Sequence, residues 1–360
     1  MSITNDKFVN NTFCIYALYK VFVIFIAVYY IQSITTLGDT NRFLSSNMSF
    51  NEIVWTRSTD IMDWTGSIAG RLPVFTKHFP LAFLSYIFMW YLVAKLRYYG
   101  LLEGTSRKVI LVVFLFSPSF TLWSSLHSKD AIGVACVAYF CSRFIDVIYG
   151  HVYRLSILDC VIAAILSMFK PQYFLPIVSG LSVIFIFRAR CSARKRAVFL
   201  ATMFITQVIL FCIFSDLIDQ LSFQMHKHFA YGNGRSTREN IFLESGDFFY
   251  HAYYGLIVAF VGPTVTEVIR SSFMVIPMLE GATILLILFL FMSFSFNCKK
   301  LDLIFVFSLV LMFWVLLVHY PFGIFNPGSA VRYRTNIIPF FVLMTFCLLK
   351  GRAKLWSNKA

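Results

Sequence analysis

Charge is what this sequence has least of. Asp, Glu, Lys and Arg make up 13% of its 360 residues, about half the share of a soluble domain. Acids are the scarcer sign, 17 against 31 Lys and Arg, for a formal net charge of +14. No P-loop, GxGxxG, GxSxG or HExxH pattern occurs, which argues against nucleotide hydrolysis and zinc chemistry. The eight cysteines form no CxxC and none lies in a long polar loop. They read as small core residues or reduced thiols, not as disulfides or a metal site. The positive charge comes without a zinc-knuckle, RNA-recognition or basic-helix pattern, so nucleic acid is not an expected partner. There is no internal repeat.

What is present is apolar. Hydrophobic residues reach 59%, with 42 Phe. Apolar runs recur at a length that fits the ~20 residues needed to cross a bilayer as a helix. Backbone groups in lipid must bond internally, so the runs are expected to be helices. The reading is an all-α polytopic integral membrane protein, 1–360 as a single transmembrane domain with about ten spans. These are 13–35, 79–96, 109–123, 131–148, 155–169, 173–187, 198–214, 281–296, 303–319 and 337–349. The first run is too long for a signal-peptide core and no small-x-small cleavage site follows it.

Polar residues gather in three connections: a first loop 37–73, a large loop 215–278 and a last loop 320–336. KLRYYGLLEGTSRK, RARCSARKR, CKK and KGRAK fall on the opposite side if there are ten spans. Cytoplasmic loops are enriched in Lys and Arg, which puts both termini in the cytoplasm and the three polar loops outside. Gly255–Pro277 is long enough to span, but it holds Gly262-Pro263, Glu267 and Arg270. Charge at mid-membrane is costly, and the segment reads as an interfacial or re-entrant helix on which Glu267 and Arg270 could pair.

The outer loops supply the candidate chemistry. Asp39, in LGDTNRFL, can take a proton from a hydroxyl or hold a metal that neutralises a phosphate; alternatively it is a solvated acid in a helix-terminal turn. Asp60 and Asp63, in TDIMDW, are lesser candidates, and Arg71, Lys77 and His78 mark the membrane surface. PSFTLWSSLHSKDAIG places Trp123, His127, Lys129 and Asp130 at the outer interface. Ser128 and Asp130 either cap the next span or, with Lys129, edge a pocket. Lys170, before Pro171-Gln172, is a solvated or snorkelling cation or a phosphate contact. The large loop offers Arg235, Arg238, Glu239, Glu244, Asp247 and His251 around Gly232-Asn233-Gly234. Arg235 and Arg238 could grip a pyrophosphate through several donors. Arg332 and Arg334 enter the last span at a helix N-terminus, where the dipole disfavours cations; they are phosphate ligands or interfacial anchors.

Four features resemble, in order, the bacterial O-antigen polymerases (Wzy) and GT-C-like glycosyltransferases. They are Gly38-Asp39-Thr40 after the first span, PSFTLWSSLHSKDA, FVGPTVTEVIRSSFMVIPMLEG and the closing VRYRTNIIPF. Some polymerases carry Arg-x10-Gly in a large periplasmic loop, and Arg235 to Gly246 matches it. The resemblance implies a GT-C-like fold in the bacterial inner membrane. It implies a polymerase joining undecaprenyl-pyrophosphate-linked repeat units at the periplasmic face, with lipid tails between spans. Arg235, Arg238, Arg332, Arg334 and Lys170 would hold phosphate, and Asp39, or Asp130 as second choice, would orient or deprotonate the acceptor. His127, Lys129, Glu239, Asp247 and His251 are secondary candidates. A chain-length regulator is a possible partner. The alternatives are a GT-C transferase with a polyprenyl-phosphate sugar donor, and a lipid-linked oligosaccharide flippase. The first loop lacks the DxD or DD pair that GT-C enzymes often carry, which favours the polymerase. No cofactor is expected, with a divalent metal only under the GT-C alternative. A reporter fused within 232–247 is expected to signal from outside the cytoplasm; a cytoplasmic signal would overturn the orientation.

Overall fold

The computed structural model describes residues 7–34, 37–150, 154–231, 238, 241–295 and 302–357. It is helical throughout, and no strand occurs among the described residues. In chain order the helices are α1 (Lys7–Ile26), α2 (Gln32–Ile34), α3 (Thr40–Leu44), α4 (Ser58–Ala69), α5 (Phe79–Tyr98), α6 (Thr105–Leu115), α7 (Pro118–Ser125), α8 (Lys129–Gly150) and α9 (Ile157–Phe169). They continue as α10 (Phe174–Arg188), α11 (Ala193–Ile213), α12 (Ser215–Ala230), α13 (Asp247–Val261), α14 (Val265–Arg270), α15 (Val275–Ser295), α16 (Leu303–Gly323), α17 (Pro327–Arg334) and α18 (Ile338–Ser357).

Among the described residues seven helices are long and apolar enough to cross a membrane, or eight if α6 and α7, bent by 52°, form one broken span. The protein is therefore a multi-pass α-helical membrane protein. Pro118 is the cause of the bend, because proline is tolerated in a helix's first turn but cannot continue the preceding one. The run 155–169 is a shorter helix of 13 residues, α9. It opens on a capping box in which Ser156 and Asp159 satisfy each other's backbone N–H groups.

One compact unit comprises residues 1–174 and 335–350. Its centre is α8, buried along most of its length. The helix can be central because its packed positions are small: Ala131, Gly133, Ala135, Ala138 and Ser142 let neighbouring backbones come close. At Gly133 a Cβ would stand 2.2 Å from the Asn336 Oδ1, so a larger residue there would have to displace the Asn336 amide. Helix α5 runs parallel to α8: His78, just before α5, meets His127, and Lys95 near its far end meets Asp146 near the far end of α8.

The other unit comprises residues 175–334 and 351–360. The segment expected as a single interfacial or re-entrant helix is broken into three. Helix α13 ends at Gly262, whose φ of +93° suits glycine. Then Thr264 caps the short α14, and α15 follows. The apolar run placed at 281–296 starts earlier, within a continuous Ser272–Ser295 segment. Much of the large loop is also helical, as α12 and α13. Phe229, Ile241, Phe242, Phe248, Tyr320, Ile324 and Phe325 close into an aromatic cluster that folds the loop onto α13 and α16. Polar ties add to it: Asp219 accepts from the Gly246 N–H and the Ser245 hydroxyl, and the Tyr320 hydroxyl donates to the Phe248 carbonyl.

Helices α13 and α16 approach closely at Gly255, where a Cβ would lie 2.2 Å from the Tyr320 ring and 2.8 Å from Ile324. Tyr320 is fully buried and cannot swing away. Gly255→Ala is expected to destabilise the protein by about 1–3 kcal/mol, read as a lower thermal midpoint in detergent; an unchanged midpoint would mean that the two helices do not pack this tightly.

Candidate functional site

In the first unit the candidates fall into a buried core and a half-exposed loop in front of it. The core is an ion pair. Asp130, in the first turn of α8 and without exposed surface, accepts from the Lys170 Nζ at 2.8 Å and the Asn336 Nδ2 at 2.9 Å. Lys170 ends α9 ahead of Pro171, and Asn336 lies in the turn before α18, so the contact ties three helices together. Lys170 is thus neither solvated nor snorkelling: it is 5% exposed. Asp130 likewise faces protein groups and offers no carboxylate oxygen to solvent.

The junction of α7 with α8 carries two of the other candidates, His127 and Lys129. The His127 N–H donates to the His78 Nδ1 at 3.1 Å, and His78 is buried, not a membrane-surface marker. The His127 Nε2 lies 3.5 Å from the Thr65 hydroxyl, and burial pushes its imidazole down to about 4. The ring is therefore neutral at physiological pH. The Lys129 Nζ donates to Ser58 at 3.0 Å and to Thr59 at 2.7 Å, which fastens α4 to the start of α8. The Ser128 hydroxyl accepts the Ala131 N–H as a cap.

Helix α4 presents Asp60 and Asp63 one turn apart. Asp63 forms a loose ion pair with Arg42 at 3.8 Å, and its Oδ1 is buried without a hydrogen-bond partner. Burial pushes its carboxyl above the ordinary aspartate value against the pull of Arg42; Asp60 adds to the push, Lys129 to the pull, and Asp39 to the push. Asp39 is exposed and immediately precedes α3. One turn on from Asp63, Ser67 lines a cleft of about 260 Å³ with Leu44, Ser45, Ser46, Asn47, Gly70 and Arg71. No group of three or more His, Cys, Asp or Glu spaced to hold a metal occurs among the described residues.

In the second unit the arginines do other work. The Arg238 guanidinium makes a bidentate pair with Glu267, at 3.1 and 2.8 Å, and donates to the carbonyls of Gly262, Gly323 and Ile324. Glu267 therefore pairs with Arg238 and not with Arg270. Burial alone would raise the Glu267 carboxyl; the bonds from Arg238 and the Thr264 N–H outweigh it and hold the group below its ordinary value. Arg334, 2% exposed, donates to the carbonyls of Phe260, Val261 and Pro277 and to Glu280. Arg238 caps the ends of α13 and α16, and Arg334 the end of α13, where carbonyls have no intrahelical donor, so the phosphate role expected of them meets donors already engaged. Arg332 is half-buried with its guanidinium 5.6 Å from the Tyr333 ring centre. The Asp247 carboxylate accepts the N–H groups of Leu243 and Glu244, and the His251 ring bonds the Tyr254 hydroxyl at 2.9 Å. Arg235 and Glu239 lie outside the described residues.

Sequence reading ranked Asp63 low and passed over Asn336 and Lys20. Lys20, in the middle of α1, is buried. It donates to Ser85, to the Ser124 hydroxyl and carbonyl, and to Ser125 at 2.9–3.1 Å, with no carboxylate partner among the described residues. It sits at the C-terminus of α7, where the helix dipole favours a cation. A lysine alone in an apolar run was the available signal. Compared with known protein families, with curated proteins and with solved structures, the chain matches none.

Asp130→Asn is expected to cost about 3–5 kcal/mol, because it leaves Lys170 charged and buried without its partner. The double variant Asp130→Leu/Lys170→Met should recover much of that loss in a detergent melt. Additive losses would mean the pair is not coupled.

Proposed function

We propose that this chain is an O-antigen polymerase, joining undecaprenyl-pyrophosphate-linked repeat units at the periplasmic face of the bacterial inner membrane. The supporting observation is the group around Asp63. A partly desolvated carboxylate with raised proton affinity stands beside Arg42 and Lys129, on a loop fastened to the largely buried α8. Perturbed carboxylates near cations are characteristic of reactive sites. Asp63 replaces Asp39 and Asp130 as the preferred base: Asp39 is exposed, and Asp130 is held by Lys170 and Asn336.

In this reading the Asp63 carboxylate takes the proton of the acceptor hydroxyl. The hydroxyl oxygen bonds to the anomeric carbon of the donor glycan, whose bond to the pyrophosphate oxygen breaks. The carrier pyrophosphate leaves with the electron pair, and nearby cations, Arg42 and Lys129 first, stabilise its charge. The cleft edged by Ser45, Ser46, Asn47, Ser67 and Arg71 offers hydroxyl, amide and guanidinium groups suited to sugar hydroxyls. A GT-C-like fold and a cytoplasmic position for both termini belong to the same proposal.

The flippase reading has one observation of its own, the buried cation Lys20 along the interior of a span. Deletion separates the alternatives. A polymerase deletant keeps lipopolysaccharide with a single repeat unit, a flippase deletant displays none, and loss of a single-sugar transferase shifts every band of an intact ladder. Asp63→Asn is expected to slow chain extension by about 10²–10⁴-fold with the protein still in the membrane. A normal ladder in that variant would remove Asp63 as the base.

A further inference from the structure

Helix α11 differs from the other long apolar helices. None of its 21 residues is buried. Val198, Phe199, Phe204, Ile205, Val208 and Ile209 all stand exposed around its circumference. It meets its own unit at few points: the Gln207 amide donates to the Ser179 hydroxyl at 3.2 Å, and Phe211 stacks on Trp314 with ring centres 5.5 Å apart. A helix this apolar and this little packed needs an apolar surround.

The turn that feeds it is the most basic stretch of the chain. Arg188, Arg190, Arg194, Lys195 and Arg196 fall within nine residues, and no acid occurs anywhere from 175 to 213. The turn has a defined shape: Ser192 caps α11 by accepting the Lys195 N–H, and the Arg196 guanidinium lies 4.9 Å from the Phe187 ring centre. Arg190, Arg194 and Lys195 are exposed. Cations at the end of a bare apolar helix match one amphiphile, with its anionic head at the turn and its acyl chains along the helix.

We infer that the α10–α11 turn binds the phosphate headgroups of anionic phospholipids, whose acyl chains lie against α11. Clustered Lys and Arg just outside a membrane helix attract anionic lipids in this way. A second copy of the chain is a poor occupant of the same face. Parallel pairing across α11 would bring five cations against five at the same depth. The inference is independent of any catalytic role.

The test is native mass spectrometry of the full chain in detergent, with equal amounts of phosphatidylglycerol and phosphatidylcholine of the same acyl chains. The wild type is expected to retain phosphatidylglycerol about tenfold over phosphatidylcholine. The triple variant Arg190→Gln/Arg194→Gln/Lys195→Gln should retain the two about equally, and the charge-keeping pair Arg190→Lys/Arg194→Lys should behave as wild type. The single variants Arg190→Gln and Lys195→Gln give the same loss in smaller steps, so the result does not hang on one variant folding. Equal retention by the wild type, or a preference that survives the triple change, would overturn the inference. So would displacement of the lipid by inorganic phosphate, which lacks acyl chains. Disulfide-linked dimers of an Ala201→Cys variant in native membranes would give the face to a second copy and overturn it too.

Discussion

An aspartate with no exposed surface at the head of α8 stays in place because a lysine from the end of α9 and an asparagine before α18 reach it. Water is not available there to solvate a lone charge, so each of the three groups depends on the others. The contact joins segments 40 and 206 residues apart in sequence. It also fixes where α8 begins, and hence where His127, Lys129 and the α4 loop are carried. The small residues of α8 then allow close packing around that fixed start.

The same constraint governs the second unit through different residues. Breaks at Gly262 and Ile324 leave carbonyl groups at helix ends inside an apolar protein. Unpaired, each would be costly. Arg238 and Arg334 meet that need with rigid forks of donors, and Glu267 and Glu280 balance their charge. Arginine suits this role because it keeps its charge and can serve several acceptors in one plane. The position that makes an arginine look like a phosphate ligand, beside a helix break, is also where carbonyls need donors.

Several features were legible before any coordinates. Among the described residues the apolar runs assigned as spans are largely helical, because hydrocarbon leaves the backbone no other regular choice in runs of that length. The turn at Lys170-Pro171 is legible as proline punctuation, whereas Gly262-Pro263, a signal of the same kind, ends a helix expected to continue. The sequence alone does not separate buried His78 and Lys170 from surface, snorkelling or phosphate-binding groups, because charge and polarity near a span end look alike whether they face water or a partner. Glu267 sits three residues before Arg270, yet it pairs with Arg238 from a distant loop. Helical spacing permits a local pair but does not oblige it.

The amino-acid order alone determined that this chain crosses a membrane many times as helices, since hydrophobic length and backbone hydrogen bonding are local properties. It also set the polar stretches and the charge asymmetry between them. Tertiary structure decided which charged groups are buried against one another and which are only loosely paired. Asp130 and Asp63 are equally plain as letters. One is held by Lys170 and Asn336, the other is half-buried beside a loosely placed Arg42, and that difference comes from groups brought together across long stretches of chain.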